Sequence, residues 1–179
     1  MLLVAELRDA ESLQQALHIA LTGHLVLTTL HTSDAIGSLL RLVEVSANAY
    51  SVTESLNLIL NQRLVRRLCK ACRQPMQIGS EPAALTRLLA EQGLTASGHF
   101  WHAPGCSQCQ TGYRGRIQLT EALTLSPALN AALIAQAPAA ELRRIWLAEG
   151  GQSWLANGLA RALTGDTSSE ELLRAHGIQ

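Results

Sequence analysis

The four cysteines of this chain fall into two pairs, Cys69-x-x-Cys72 and Cys106-x-x-Cys109. Two residues between ligands let one short turn aim both sulfurs at a single point. Two such turns close a tetrahedron of thiolates around Zn²⁺, with bonds of about 2.3 Å. Buried free thiols and a pair of disulfides are the other readings of the same residues. A disulfide framework needs an exported chain. Residues 1–4 are too short an apolar run to act as a signal peptide, and they lack a basic flank and a cleavage site. Unpaired cysteines seldom fall by chance into two pairs of this kind, so a zinc site is the expectation.

The segments around the pairs must position those sulfurs. Residues 63–68 are expected to form a strand that delivers the chain to Cys69. Between the pairs, residues 75–79 are turn-like, 82–92 helical, and 93–104 a loop that carries Phe100 and Trp101. Gly112-Tyr113-Arg114-Gly115-Arg116 and an apolar segment to Leu125 follow the second pair.

Upstream, residues 2–7 form a short apolar run interrupted by Glu6, and Asp9 can cap a helix whose apolar positions Leu13, Leu17, Ala20 and Leu21 recur at helical spacing, with Gly23 stopping it. Residues 24–30 are rich in β-branched and apolar types and predict a buried strand. Thr32 or Ser33 can then cap a helix with Ile36, Leu39, Leu40 and Val43 on one face, and residues 49–60 predict another helix. Strands alternating with helices imply a largely parallel sheet. From Ser126 the pattern is purely helical, and Thr167-x-x-Glu170 has the form of a capping box for the last helix.

Composition removes some function classes. Lys plus Arg and Asp plus Glu are equal at 14 each, so no global field draws the protein to nucleic acid or an anionic membrane. Aromatic residues make up 3% of the chain, too few to stack bases along a single strand. No apolar stretch has the length of a bilayer span, so a soluble intracellular protein without membrane insertion is expected.

Several segments carry a resemblance when taken together. Glu6-Leu7-Arg8-Asp9 is followed by the run from Thr22 through His24 and His31 to Ala35. Gln62-Arg63-Leu64-Val65-Arg66-Arg67-Leu68-Cys69, Gly105-Cys106, the Gly112–Arg116 pentapeptide and Ser169-Glu170-Glu171-Leu172-Leu173-Arg174 come next. In this order they resemble the Walker B end, histidine box and carboxy-terminal region of the ATPases that drive type II secretion and type IV pilus assembly. The tetracysteine insertion resembles the assembly and secretion branch, which the pilus-retraction branch lacks.

The resemblance implies an α/β fold, the C-terminal part of a RecA-like P-loop ATPase domain with a tetracysteine zinc insertion and a small C-terminal helical subdomain. The implied divisions are 1–68 for the ATPase core, 69–112 for the insertion, 113–125 for a return to the core and 126–179 for the helices. Glu6 is implied to lie near Mg²⁺ and the nucleophilic water, where a fixed carboxylate can hold the ion or orient the water. Without the resemblance, it would be a solvated strand-end acid. His24 and His31 match the two histidines of the box, and His31 is the favoured γ-phosphate contact. An imidazole titrating near neutrality can donate to phosphate oxygens, although either histidine can instead cap a strand or bind a core carbonyl. Implied partners are further copies in a hexamer and an inner-membrane platform protein, placing the chain in the cytoplasm at the membrane's inner face.

Some of the family pattern is absent. The chain contains no Gly-x-x-x-x-Gly-Lys-Ser/Thr phosphate loop, and Met1 falls inside the would-be Walker B strand. Ala5, Ser33 and Ile117-Gln118 replace the usual glycine, asparagine and Thr-Gly. The expectation is therefore a C-terminal portion that needs ATP and Mg²⁺ held by other parts and does not hydrolyse ATP alone. Two alternatives share the cysteine spacing: a non-catalytic zinc-stapled interaction module, and a zinc-ribbon nucleic-acid binder using Arg63, Arg66, Arg67 and Lys70.

Overall fold

The computed structural model describes residues 1–7, 9–77 and 79–178. Arg8 of the Glu6–Asp9 match and residue 78 of the expected turn lie outside the described residues. The chain is α/β. Its first half runs β1 (Leu2–Val4), α1 (Ala10–Leu21), β2 (Val26–Thr28), α2 (Ala35–Ser46), α3 (Ala49–Ser55), β3 (Ile59–Leu68) and β4 (Gln74–Pro75). It continues with α4 (Ala83–Glu91), β5 (Trp101–His102), β6 (Tyr113–Leu123), α5 (Pro127–Ile134), α6 (Ala139–Ala148), α7 (Trp154–Leu163) and α8 (Ser169–His176). No helix of the described residues is long and apolar enough to cross a membrane.

Two compact units divide these elements. One comprises Met1–Asn61 with Glu121–Gln152, and the other Gln62–Thr120 with the chain from Ser153 onward. The purely helical pattern after Ser126 predicts one subdomain over 126–179, whereas the structure shares those helices between the units. Leu129, Leu133, Leu142 and Trp146 of α5 and α6 are buried with Leu13, Ile36, Leu39 and Val52 in the first core. Trp154, Leu155, Leu159 and Leu172 of α7 and α8 are buried with Val65, Leu85, Phe100 and Leu119 in the second. Helical periodicity marks which face of a helix is apolar without saying which partner covers it.

In the first unit, α1 begins as its sequence predicts, with the Asp9 carboxylate accepting from Ser12 N at 2.8 Å. Helix α2 starts one or two residues later than expected. Asp34, rather than Thr32 or Ser33, takes the cap by accepting from Gly37 N at 2.7 Å, and a carboxylate gains from the helix dipole as a hydroxyl does not. Helix α3 stops at Ser55 because Leu56 turns extended, with φ −85° and ψ 119°. The residues just beyond then begin β3 rather than a longer helix.

Strands β1 and β2 pair in parallel, Leu2 opposite Val26 and Val4 opposite Thr28. The expected buried strand over 24–30 is corrected to three paired residues that are partly exposed, with Leu25 and Leu27 keeping 51% and 45% of their surface. Among the described residues this sheet has two strands, so β2 lacks the second neighbour that would bury it. The β1–β2 pairing is parallel, as the alternation of strands and helices in the first 68 residues predicts, whereas β4 and β5, further along the chain, pair antiparallel, Gln74 opposite His102.

In the second unit, the last helix is capped one residue later than its sequence suggests. Ser168 Oγ accepts from Glu171 N at 3.2 Å, and Thr167 Oγ1 instead donates to the Arg66 carbonyl at 2.9 Å. Helices α7 and α8 approach closely because position 158 is glycine. A Cβ there would sit 2.7 Å from Leu172 Cδ2 and 2.9 Å from Leu119 Cδ1.

Candidate functional site

All four sulfurs converge. Cys69 and Cys106 Sγ lie 3.9 Å apart, Cys72 and Cys109 3.9 Å, and Cys106 and Cys109 3.7 Å, with every ligand atom within 4.8 Å of the others. A tetrahedron with metal–sulfur bonds of about 2.3 Å has sulfur–sulfur edges of about 3.8 Å. A disulfide would bring its sulfurs to about 2.05 Å. The four thiols are free, and the donor set fits a closed tetrathiolate site that could bind a metal ion.

Local backbone geometry aims them. The Cys72 and Arg73 amides both donate to the Cys69 carbonyl, and the Cys109 amide donates to that of Cys106, so each pair sits on one tight turn. The Cys106 amide donates to Cys109 Sγ at 3.2 Å. The two turns are joined by Cys69 N donating to Gly112 O at 2.8 Å. Gly112 has φ +88°, and a Cβ there would collide with the Ala103 carbonyl; only glycine meets both demands. Burial and the neighbouring thiols push the Cys72 thiol up to about 12. At Cys109 burial acts in the same direction, but hydrogen bonds from the Cys106 and Gly112 amides outweigh it and hold the thiol at about 7.

Residues flanking the cysteines grip the turn between α7 and α8. Leu68 N donates to Asp166 O at 2.9 Å. The Arg73 guanidinium donates to the Thr164 and Gly165 carbonyls and lies 5.1 Å from the centre of the Trp101 ring, whose indole N–H donates to Leu163 O at 3.1 Å. Next to these, Arg66 donates to the buried Glu171 from its amide and its guanidinium, each at 2.7 Å. Arg174 donates to the same carboxylate at 2.7 and 2.8 Å. Arg66 also stacks on Tyr113, whose hydroxyl meets Ser168 Oγ at 2.7 Å.

These contacts bear on the basic stretch. Arg63 donates to the Ala175 carbonyl at 2.7 Å and stacks on Trp154, and Arg66 is bound to Glu171. Two of the four cations that could have faced a nucleic acid are thus engaged within the protein. Arg67 and Lys70 line a cleft with Arg114 beside Cys69.

Glu6 and His31 emerge beyond the carboxyl ends of β1 and β2, the edge at which open α/β sheets place their ligands. Parallel pairing in this register brings them together, with His31 Nε2 3.5 Å from Glu6 Oε1. Thr29 Oγ1 donates to the Ala5 carbonyl and extends the tie one step past the strands. His24 is not part of this group. It precedes β2, at the opposite end from His31, and its Nδ1 lies 3.3 Å from Thr22 Oγ1.

Sequence reasoning missed the acids and bases that hold the loop carrying His31. Asp34 pairs with Arg143 at 3.2 Å, and the buried Glu121 accepts from Ala35 N at 2.6 Å. No short-range pattern marks these partners, since Glu121 is 86 residues from Ala35. A lone glutamate at an apolar-face position of an alternating strand, between Leu119 and Leu123, was the one available signal.

The fold is shared with solved structures. The chain superposes on the Legionella pneumophila ATPase DotB with a TM-score of 0.61 at 21% identity, covering 98% of this chain and 38% of that one. With the pilus retraction motor PilT bound to ADP the TM-score is 0.63 at 22% identity, covering 97% and 38%. Residues 1–174 match the model of the type II/IV secretion system protein family, and the chain belongs to that family. It is 39% identical over 173 residues to the type II secretion system protein E of Dickeya dadantii. It is 38% identical to the type IV pilus assembly ATPase PilB of Myxococcus xanthus and 35% to that of Thermus thermophilus. Each match takes in 96% of this chain but only 33%, 30% and 19% of the respective relative's length.

Proposed function

We propose that this chain supplies the C-terminal portion of a hexameric motor that couples ATP hydrolysis to type II secretion or type IV pilus assembly. The observation that carries this reading is the Glu6–His31 pair, 3.5 Å apart at the carboxyl ends of two parallel strands, in a chain that matches the family from residue 1 to 174. The RecA-like assignment of the core and the insertion over 69–112 belong to the same proposal.

Bound ATP and Mg²⁺ would supply the phosphoryl group and the charge that offsets it. Of this chain's residues, Glu6 would hold the ion or orient water through its fixed carboxylate, and His31 would offer an N–H to a γ-phosphate oxygen. His24, at the other end of β2, would have a structural role through Thr22. Zinc at Cys69, Cys72, Cys106 and Cys109 would be structural, since four thiolates leave no open position for substrate. The second unit would then present docking surfaces to neighbouring copies and to an inner-membrane platform protein at the cytoplasmic face.

A phosphate must be positioned before a carboxylate and an imidazole can act on it. The sequence has no Gly-x-x-x-x-Gly-Lys-Ser/Thr segment, so the chain alone should not turn ATP over. The test is a chimera joining this chain to the upstream part of the Dickeya dadantii protein E. Activity that appears in the chimera and is lost with Glu6→Gln supports the reading. Undiminished turnover in the Glu6→Gln chimera, or Glu6-dependent turnover by the chain alone, refutes it.

A further inference from the structure

We infer that Glu121 is a positioning residue that sets His31 against Glu6; this rests on the reading of those two residues as the reacting pair. Glu121 is 1% exposed, and a buried carboxylate is costly unless strongly hydrogen-bonded. One of its bonds is to the first backbone amide of α2, from Ala35 N at 2.6 Å. Helices α1 and α3 start with a single capping side chain from the adjoining residue, Asp9 and Asn48. Helix α2 has such a cap in Asp34 and also receives a second carboxylate from a distant strand. The extra acceptor satisfies one of the four N-terminal amides and places negative charge at the positive end of the helix dipole.

The placement matters because of what precedes Ala35. The loop from Thr29 to Asp34 carries His31. At its start, Thr29 Oγ1 is tied to the carbonyl of Ala5, the neighbour of Glu6. In its middle, the Thr32 carbonyl accepts from Asn61 Nδ2 at 3.4 Å. At its end, Ala35 is tied to Glu121. The His31 side chain is 84% exposed, so little packing holds the ring. Its position relative to Glu6 follows from the two ends of the loop, and Glu121 holds the second of them together with Asp34, which pairs with Arg143 and caps the helix. Releasing the Ala35 amide would let the loop shift while Glu6 stays with β1.

The test uses the chain itself, with two magnetic-resonance readouts. The first is hydrogen exchange at the Ala35 amide. The second is the change in the His31 imidazole Cε1–H resonance caused by Glu6→Gln, which reports whether the two side chains meet. We expect Glu6→Gln to move the His31 signal in the otherwise native chain and to leave it unmoved in Glu121→Ala. Ala35 exchange should rise roughly ten-fold or more in Glu121→Ala, as expected for loss of a hydrogen bond to a charged acceptor. Glu121→Gln keeps an oxygen that can accept from Ala35 and should restore the response, whereas Glu121→Asp is too short and should not. These two variants keep a polar group at the buried position, so the contrast survives if the alanine variant unfolds.

A residue that only stabilised the core would lower stability and leave the response of His31 to Glu6 intact. That outcome, with Ala35 deprotected, overturns the positioning role and leaves the reading of the pair standing. Absence of any His31 response in the native background, with Ala35 protected, overturns the pair and the positioning role together.

Discussion

Replacing Glu171 with glutamine should remove a pH-dependent part of the protein's stability. The Glu171 side chain is fully buried. Burial alone would raise its carboxyl, but hydrogen bonds from Arg174 and Arg66, the Arg66 amide and the Arg66 charge outweigh burial and hold it at about 2, against an ordinary value of 4.5. At about 1.36 kcal/mol per unit this lowering corresponds to roughly 3 kcal/mol, an upper figure because the two guanidiniums are half exposed and screened by water. The carboxyl binds its proton more weakly in the folded state. Its stabilisation is therefore fully present above about pH 4.5 and is lost as pH falls toward about 2. Urea unfolding of the native chain and of Glu171→Gln near pH 7, 4 and 3 isolates this contribution. Protonation of other groups, the cysteines included, acts on both proteins and cancels in the difference. Relative to neutral pH, the advantage of the native chain should shrink by about 1 kcal/mol near pH 4 and about 2 kcal/mol near pH 3. A difference that stays flat from pH 7 to 3 would refute the claim that Glu171 is ionised and paired in the fold.

Metal analysis of protein purified without added metal should give one zinc per chain, and Cys72→Ser should abolish binding. Structural zinc contributes on the order of 10 kcal/mol in small zinc domains, so hydrogen exchange should rise at Leu68 and in the turn from Thr164 to Ser168; four freely reactive thiols in the native protein would count against the site. Gly112→Ala should speed zinc loss to a chromogenic chelator, because the left-handed backbone there costs a non-glycine residue about 1–3 kcal/mol before its Cβ meets Ala103. Unchanged metal release would show that the turn relaxes freely. Oligonucleotides should fail to bind the chain even at low salt, where any use of Arg67, Lys70 and Arg114 would be strongest, and salt-sensitive binding would revive the nucleic-acid reading.

Local chemistry made some of the structure legible in the sequence. The helix over Ala10–Leu21 was visible because its cap, periodicity and glycine stop all lie within a short window. The convergence of the cysteines was visible because pair spacing is itself a geometric statement. Position 34 was passed over because Thr32, Ser33 and Asp34 are all capping types, and the choice among them was made by Arg143 and by the backbone. The exposure of β2 could not be read from its composition, since an apolar run reports what a strand would bury and not whether a neighbour covers it. Ala35 and Arg66, which donate to Glu121 and Glu171, lie 86 and 105 residues from them, beyond any periodic signal.

Those long-range carboxylates show how each unit makes a site from distant segments. In the first unit Glu6 and His31 come from adjacent strand ends, and the buried Glu121 of β6 accepts from the first amide of the helix that follows one of them. In the second, Leu68 and Arg73, on either side of the first cysteine pair, bond to the same short turn between α7 and α8. Arg66 holds α8 through Glu171. A metal ion joining Cys69 and Cys72 to Cys106 and Cys109 would constrain both edges of that grip at once, because the gripping residues sit one position outside the ligands. The tetracysteine site is therefore placed to set the α7–α8 turn as well as to close its own loop, which gives a four-thiolate ion with no open coordination position a structural reason to be there.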